Sequence, residues 1–273
     1  MAQPGNKLVP WPRVSVVIPA LNEARNLPHV FARIPAGYHE VIVVDGHSVD
    51  DTVAVAVALR PDVQIVKQTR RGKGNALACG FEAATGDVIV MIDADGSADP
   101  AEIPRFVAAL LDGADLAKGT RYARGGGSDD ITRLRSAGNR VFSRLVNRRY
   151  GTRFSDLCYG FNAFWRRHVP VFGLDATSPP PGDGDWLWGD GFEIETLISI
   201  RAARAGLVIA EVPSFEHARI HGTSKLCTFA DGLRVLRTIL IEHRVQSSAA
   251  VPAAVADAGV GGALENVPAE AAQ

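Results

Sequence analysis

The chain has 273 residues, enough for one large domain with its own core, and is 47% hydrophobic and 22% charged. Its 29 basic and 30 acidic side chains leave a net charge of −1, so there is no global basic field to draw nucleic acid. Its three scattered cysteines (Cys79, Cys158, Cys227) form no CxxC pair, which argues against a zinc ribbon or a disulfide framework and for reduced thiols in a cytosolic protein.

Residues 1–12 carry Pro4, Gly5, Pro10 and Pro12 and read as a disordered lead-in. No apolar segment precedes Pro10 and no run of about 18 apolar residues occurs anywhere, so neither a signal peptide nor a membrane-spanning helix is expected. Val14–Ile18 is a β-branched run of strand length, ended by Pro19. Asn22 is placed to cap a helix with Glu23 in its first turn, running towards Ile34 before Pro35 and Gly37 break it. Glu40–Val44 reads as a second buried strand closing on Asp45. Turn residues 48–52 lead into a helix over 53–59, and Val63–Lys67 is a third strand. Gly72 and Gly74 precede a helix over Asn75–Ala84. Gly86-Asp87 then turns into an apolar strand from Val88 that runs straight into Asp93-Ala94-Asp95. Continuous apolar strands alternating with helices over about 90 residues argue for a mostly parallel sheet covered on both faces, with right-handed crossovers.

Further on, Ile103–Leu111 reads as a helix and Asp115–Gly119 as a short strand. Residues 123–130 are too glycine-rich for regular structure and read as a mobile loop. Ile131–Tyr150 is a helix with six arginines. Phe161–Phe164 is a strand candidate. Residues 176–190 form a long loop with three consecutive prolines and Trp186 and Trp188; loops of this length inside a domain are usually functional or disordered. A helix over Phe192–Ala205 and a strand over Leu207–Val212 follow. Leu226, Phe229, Leu233, Leu236 and Leu240 recur at three/four spacing on a helix over 226–244 that also carries Arg234, Arg237 and Arg244. Two readings of that stripe stand: packing on the core, or lying on an anionic membrane face. Beyond 245 the Ala/Pro/Gly-rich chain reads as a disordered tail over 246–273. The domain expected in between covers 13–245.

Two carboxylates at the carboxyl end of a buried strand are what a hard divalent cation accepts, with substrate phosphates filling other positions. In open α/β sheets, ligands bind beyond those strand ends. Asp93 and Asp95 are therefore metal-ligand candidates; the alternative is an acidic turn, since Asp-Gly is a common turn pair. Arg71-Gly72-Lys73-Gly74 is not a Walker loop, because Gly74 stands where a Ser or Thr is needed.

The segments VSVVIPALNEARNL (14–27), VVDGHSVDDT (43–52), RGKGNAL (71–77), MIDADGSADP (91–100), KGTRYARGGG (118–127), SDLCYGF (155–161), GFEIETL (191–197) and EVPSFEHARIHGTSKL (211–226) resemble, in order and spacing, the family-2 glycosyltransferases, most closely the dolichol-phosphate mannose synthase branch. The resemblance implies an α/β GT-A fold and an inverting, single-displacement hexosyl transfer from a nucleotide diphosphate sugar to a polyprenyl phosphate. It implies an Mg²⁺ or Mn²⁺ ion on Asp93 and Asp95, with Ser97 as a further polar contact. Pro19, Ala20, Glu23, Asp45 and Lys73 become donor-binding candidates beside the acidic pair. Arg121, Arg135, Arg219, Ser224 and Lys225 become phosphate- and acceptor-binding candidates, and Asp95, Asp156, Arg121 and Arg219 the catalytic set. Gly46-His47 departs from the family's Asp-Asp-Gly-Ser pattern beside the base site, so GDP-mannose and UDP-glucose both stand as donors. A hydroxyl acceptor stands as the alternative, with Asp156 as general base and the Trp186/Trp188 loop stacking on it. Glu195 is a further family acid, either at the site or structural in its helix. The implied location is the cytoplasm, with peripheral contact at the inner membrane face left open.

Overall fold

The computed structural model describes residues 10–180, 182, 186–223 and 227–248, apart from the side chains of 244–248. Seven strands form the main sheet: β1 (Val14–Ala20), β2 (Glu40–Asp45), β3 (Gln64–Lys67), β4 (Val88–Met91), β5 (Leu116–Thr120), β7 (Asn162–Trp165) and β8 (Ile209–Pro213). Their spatial order is β3-β2-β1-β4-β7-β5-β8. Every neighbouring pair is parallel except those made by β7, which runs antiparallel to both β4 and β5. A second sheet joins two-residue strands, β6 (Gly127–Ser128) and β9 (Phe215–Glu216).

The central strands β1, β2, β4 and β5 are buried on both faces, and successive side chains feed opposite layers. Val14, Val16 and Ile18 pack with Val41, Val43, Val88 and Val90 against α1 (Leu27–Arg33), α2 (Thr52–Leu59) and α4 (Ile103–Leu111). Val17, Ile42, Val44, Ile89 and Met91 pack on the other side against α3 (Lys73–Ala83), α6 (Val169–Phe172) and α7 (Ile194–Arg204). Outside α7 lies a third cluster, where Val146 of α5 (Arg133–Tyr150) meets Ile200 and the Val235 and Ile239 side chains of α8 (Thr228–Ser248).

Several boundaries differ from the sequence expectation for identifiable reasons. Pro19 does not end β1 but lies inside it, opposite Val44. Val17 C=O accepts from Ile92 N–H on the β4 side, and Pro19, two residues on, faces that same side beyond the end of the β1–β4 pairing at Met91, where no ladder donor is needed. Asn22 does not cap a helix: it has φ 55°, and its side chain accepts from Val49 N–H instead. The first helix starts at Leu27, after Asn26. The glycine-rich 123–130 stretch contributes β6, and α8 continues to Ser248, past the expected boundary at 245. The lead-in expected over 1–12 is described only from Pro10, and residues 249–273 lie outside the described residues.

Candidate active site

The carboxyl ends of β1, β2, β3, β4 and β5 all open on one cavity of about 1530 Å³. Because β7 is antiparallel, its amino end faces the same way, and Cys158–Gly160 pass along the cavity wall just before it. Pro19, Ala20 and Glu23 line the cavity after β1, Gly46 and His47 after β2, and Gln68 to Lys73 after β3. Asp93, Asp95 and Ser97 follow β4, and Arg121 follows β5.

The acidic pair is woven into two ion-pair systems. Lys73 Nζ lies 2.6 Å from Asp93 Oδ1 and 2.7 Å from Glu195 Oε1. Burial works against the Lys73 ammonium, but the two carboxylates overcome it and hold its pKa above the usual lysine value. Burial, with the neighbouring charges of Asp95 and Glu195, pushes the Asp93 carboxyl above the usual range despite Lys73. Gly160 sits against this triad. A Cβ there would come within 2.9 Å of Lys73 Nζ and 3.0 Å of Asp93 Oδ2, so a larger residue would push on the ends of these side chains.

Asp95 pairs with Arg219, Nη2 to Oδ2 at 2.7 Å, and its other oxygen accepts from Ser97 N–H at 2.9 Å. Arg219 Nη1 also reaches Glu23 Oε1 at 3.5 Å. The segment carrying Arg219 is held over the strand end by backbone bonds from His217 N–H to Ser97 C=O and Ile220 N–H to Asp95 C=O.

Arg121 is clamped. Its Nε and Nη2 donate to the two oxygens of Asp156 at 2.7 and 3.0 Å, and Nη1 donates to Glu216. Its guanidinium also lies 4.9 Å from the Tyr159 ring centroid. Burial opposes the charge, yet the two carboxylates hold the Arg121 pKa above its ordinary value. Asp156 is fully buried and is not part of the cavity wall. The base role expected of it does not fit these surroundings, since both its oxygens are engaged by Arg121 and neither faces the cavity. Asp45 is likewise buried behind the wall, accepting from Ser48 N–H. The cavity wall beside it is instead made by Gly46, Gln68 and His47, the last at φ 62°.

Arg135 lines the cavity from α5, with Asp130 at 3.9 Å. Ser224 and Lys225 lie outside the described residues. Beyond the polar end the cavity turns apolar between α5 and α8, where Leu134, Phe142, Phe229, Leu233 and Leu236 form its walls. Trp186 closes one side. Its loop is fastened to the segment after β3 by a buried Arg70–Asp190 ion pair at 2.8 Å and to α8 by Arg234 over Trp186 and Arg237 over Trp188.

Sequence reasoning assigned no role to Glu216 or Tyr159, and left Glu195 between site and helix. Their partners are 95, 38 and 122 residues away, so no local spacing signals the contact. His47 had a signal, the broken pattern after Asp45.

Among the described residues no group of three or more His, Cys, Asp or Glu side chains converges as a metal site. The donor set of two adjacent hard carboxylates still fits a magnesium-like ion, which commonly takes one or two protein carboxylates and completes its shell with phosphates and water.

The family model described as "Glycosyl transferase family 2" matches residues 15–171. An uncharacterized glycosyltransferase of Mycobacterium tuberculosis is 49% identical over 108 residues, 40% of this chain and 48% of that protein, so the match spans about half its length. The dolichol-phosphate mannosyltransferase of Pyrococcus furiosus is 33% identical over 78% of this chain and 59% of its own length. The dolichyl-phosphate hexose transferase of Haloferax volcanii is 30% identical over 85% of this chain and 96% of its own. Among solved structures, glucosyl-3-phosphoglycerate synthase from Mycobacterium tuberculosis, in complex with Mn²⁺, uridine diphosphate and glucosyl-3-phosphoglycerate, superposes with a TM-score of 0.65 at 26% identity over 92% of this chain and 83% of that one.

Proposed function

The chain belongs to glycosyl transferase family 2 and has its GT-A fold, and on that premise we propose that it transfers a hexose, with inversion, from a nucleotide diphosphate sugar to a polyprenyl phosphate. The observation that carries the acceptor half is the continuity of the cavity. One end holds Asp93, Asp95, Lys73, Arg219 and Arg121, and the other is an apolar channel between α5 and α8. A phosphate headgroup on an isoprenoid chain has that same division. Names of relatives support the class, two of them being dolichyl-phosphate sugar transferases.

In this reading the nucleotide lies along Pro19, Gly46, His47 and Gln68, with its diphosphate towards Asp93 and Asp95. Those carboxylates would hold a divalent cation, whose contribution is to neutralise charge on the diphosphate. Lys73 and Arg219 already meet the acidic pair and are positioned to share the same phosphates. Arg121, fixed by Asp156 and Glu216, presents its charge on the acceptor side. Arg135 is close to the apolar channel and suits the acceptor phosphate. An acceptor phosphate oxygen attacks the anomeric carbon as the bond to the leaving diphosphate breaks, and the diphosphate leaves with the electron pair. The attacking oxygen is already anionic near neutral pH, so no general base is needed. That agrees with an Asp156 enclosed by Arg121. The chain's contribution is alignment and charge stabilisation.

The test is nucleotide diphosphate release from a panel including GDP-mannose and UDP-glucose, with Mg²⁺ or Mn²⁺, with and without a short-chain polyprenyl phosphate. Release from one donor should require the lipid phosphate and fall at least about a hundredfold in Asp95→Ala. Turnover no faster with the lipid than without it would remove the polyprenyl assignment.

A further inference from the structure

The helix with six arginines, α5, carries no acidic residue at all, in a chain whose overall charge is −1. Arg133, Arg140, Arg144 and Arg148 are all exposed, and their spacing of seven, four and four residues sets them along one helix face. Leu134 and Val141 stand between them, each 57% exposed. The neighbouring α8 repeats the pattern. Phe229 and Leu233 are 80% and 67% exposed, and Leu240 and Arg237 follow on the same side. The two helices pack on each other through Val146, Val235 and Ile239, and both outer faces turn away from that shared core.

Large apolar side chains interleaved with arginines are costly in water and are what an interfacial helix shows. Leu134, Phe229 and Leu233 also line the cavity, so the mouth of its apolar limb opens on this face. No helix among the described residues is long and apolar enough to cross a membrane. We propose that the joined outer faces of α5 and α8 are a docking surface for an anionic lipid bilayer, seating the cavity mouth at the membrane. The purpose of this surface rests on the lipid-acceptor reading above, but its existence does not. The arginines meet anionic headgroups, Phe229 and Leu233 enter the headgroup–acyl boundary, and a lipid substrate passes sideways into the channel without crossing water.

The experiment is co-sedimentation of the full chain with vesicles free of polyprenyl phosphate, either neutral phosphatidylcholine or the same lipid with roughly 30% phosphatidylglycerol. Uptake should be confined to the anionic vesicles and weaken with salt. The Arg144→Glu/Arg148→Glu variant lies away from the cavity. It should bind about tenfold or more weakly while turning over a detergent-dispersed short-chain acceptor at the parent rate. Phe229→Ser/Leu233→Ser should lose uptake at low salt as well. Equal uptake by neutral vesicles, or unchanged uptake by the charge-reversed variant, overturns the proposal. So does a face that proves to join two copies, seen as a dimer that Phe229→Ser/Leu233→Ser dissociates with no vesicle uptake by the parent. Turnover of the dispersed acceptor without vesicle uptake sinks the surface alone. Uptake without turnover sinks the acceptor reading and leaves the surface standing.

Discussion

Lys73 stands between Asp93, which faces the cavity, and the buried Glu195, and replacing it strands the Glu195 carboxylate. Breaking a buried ion pair from one side usually costs about 3–5 kcal/mol, because the remaining charge is stranded. Lys73→Met should therefore lower stability by about 3 kcal/mol in urea titration, and adding Glu195→Gln should recover part of that loss. Asp156 separates two roles. As a general base, its loss would reduce kcat by about 10²–10⁴. As the residue that aims Arg121, Asp156→Asn should instead raise the acceptor KM by about tenfold and change kcat little. Steady-state kinetics with varied acceptor distinguishes the two. Asp175 gives a pH prediction. Its carboxylate accepts from the Ser178 hydroxyl and from the Ser178 and Thr177 N–H groups, which lowers its pKa from 3.8 to about 2. The unfolded chain thus holds that proton more tightly than the folded one. The stability Asp175 supplies is full above the unfolded value and is lost as pH falls from 3.8 towards about 2. Melting curves of the parent and Asp175→Asn should differ above that window and converge below it.

At the scale of elements, the loop carrying Trp186 and Trp188 joins the segment after β3 to α8. Gly74 is the contact that allows it. A Cβ at Gly74 would fall 1.7 Å from Gly189 O, and Gly74 N–H donates to Asp190 C=O. Alanine for glycine inside a helix normally stabilises by about 0.5–1 kcal/mol. Here the sign should reverse, with Gly74→Ala destabilising by about 1–3 kcal/mol. Trp186, pulled from its stack on Arg234, should shift its fluorescence. This contact also shows the limit of what the sequence reveals. The strands over Val14–Ala20, Glu40–Asp45 and Val88–Met91 were legible as parallel, because runs buried on both faces are continuous and apolar. So was α4, whose start at Ile103 and end at Leu111 match the expectation. The direction of β7 was not legible, since a strand of four residues reads alike in either orientation. The pairing of β6 with β9 was not either, because two-residue strands have no period. Asp93, Asp95 and Arg219 announced themselves as motifs and Glu195 was flagged with its role open, whereas Glu216 entered only through tertiary contact.

Across the whole molecule, the sheet gathers six parallel strand ends and one antiparallel strand start on one rim, and α5 and α8 extend that rim into an apolar channel. The acidic pair and its cations form one end of a single cavity, and exposed Phe229 and Leu233 mark the other. A decisive measurement follows the sugar itself: a donor labelled in the hexose, the intact chain, a divalent cation and a polyprenyl phosphate, with extraction into organic solvent. Label should enter the organic phase as a hexosyl polyprenyl phosphate whose anomeric configuration is opposite to the donor's, and Asp95→Ala should leave it in water. Label that stays aqueous with every donor, or a lipid product that retains configuration, would contradict the account.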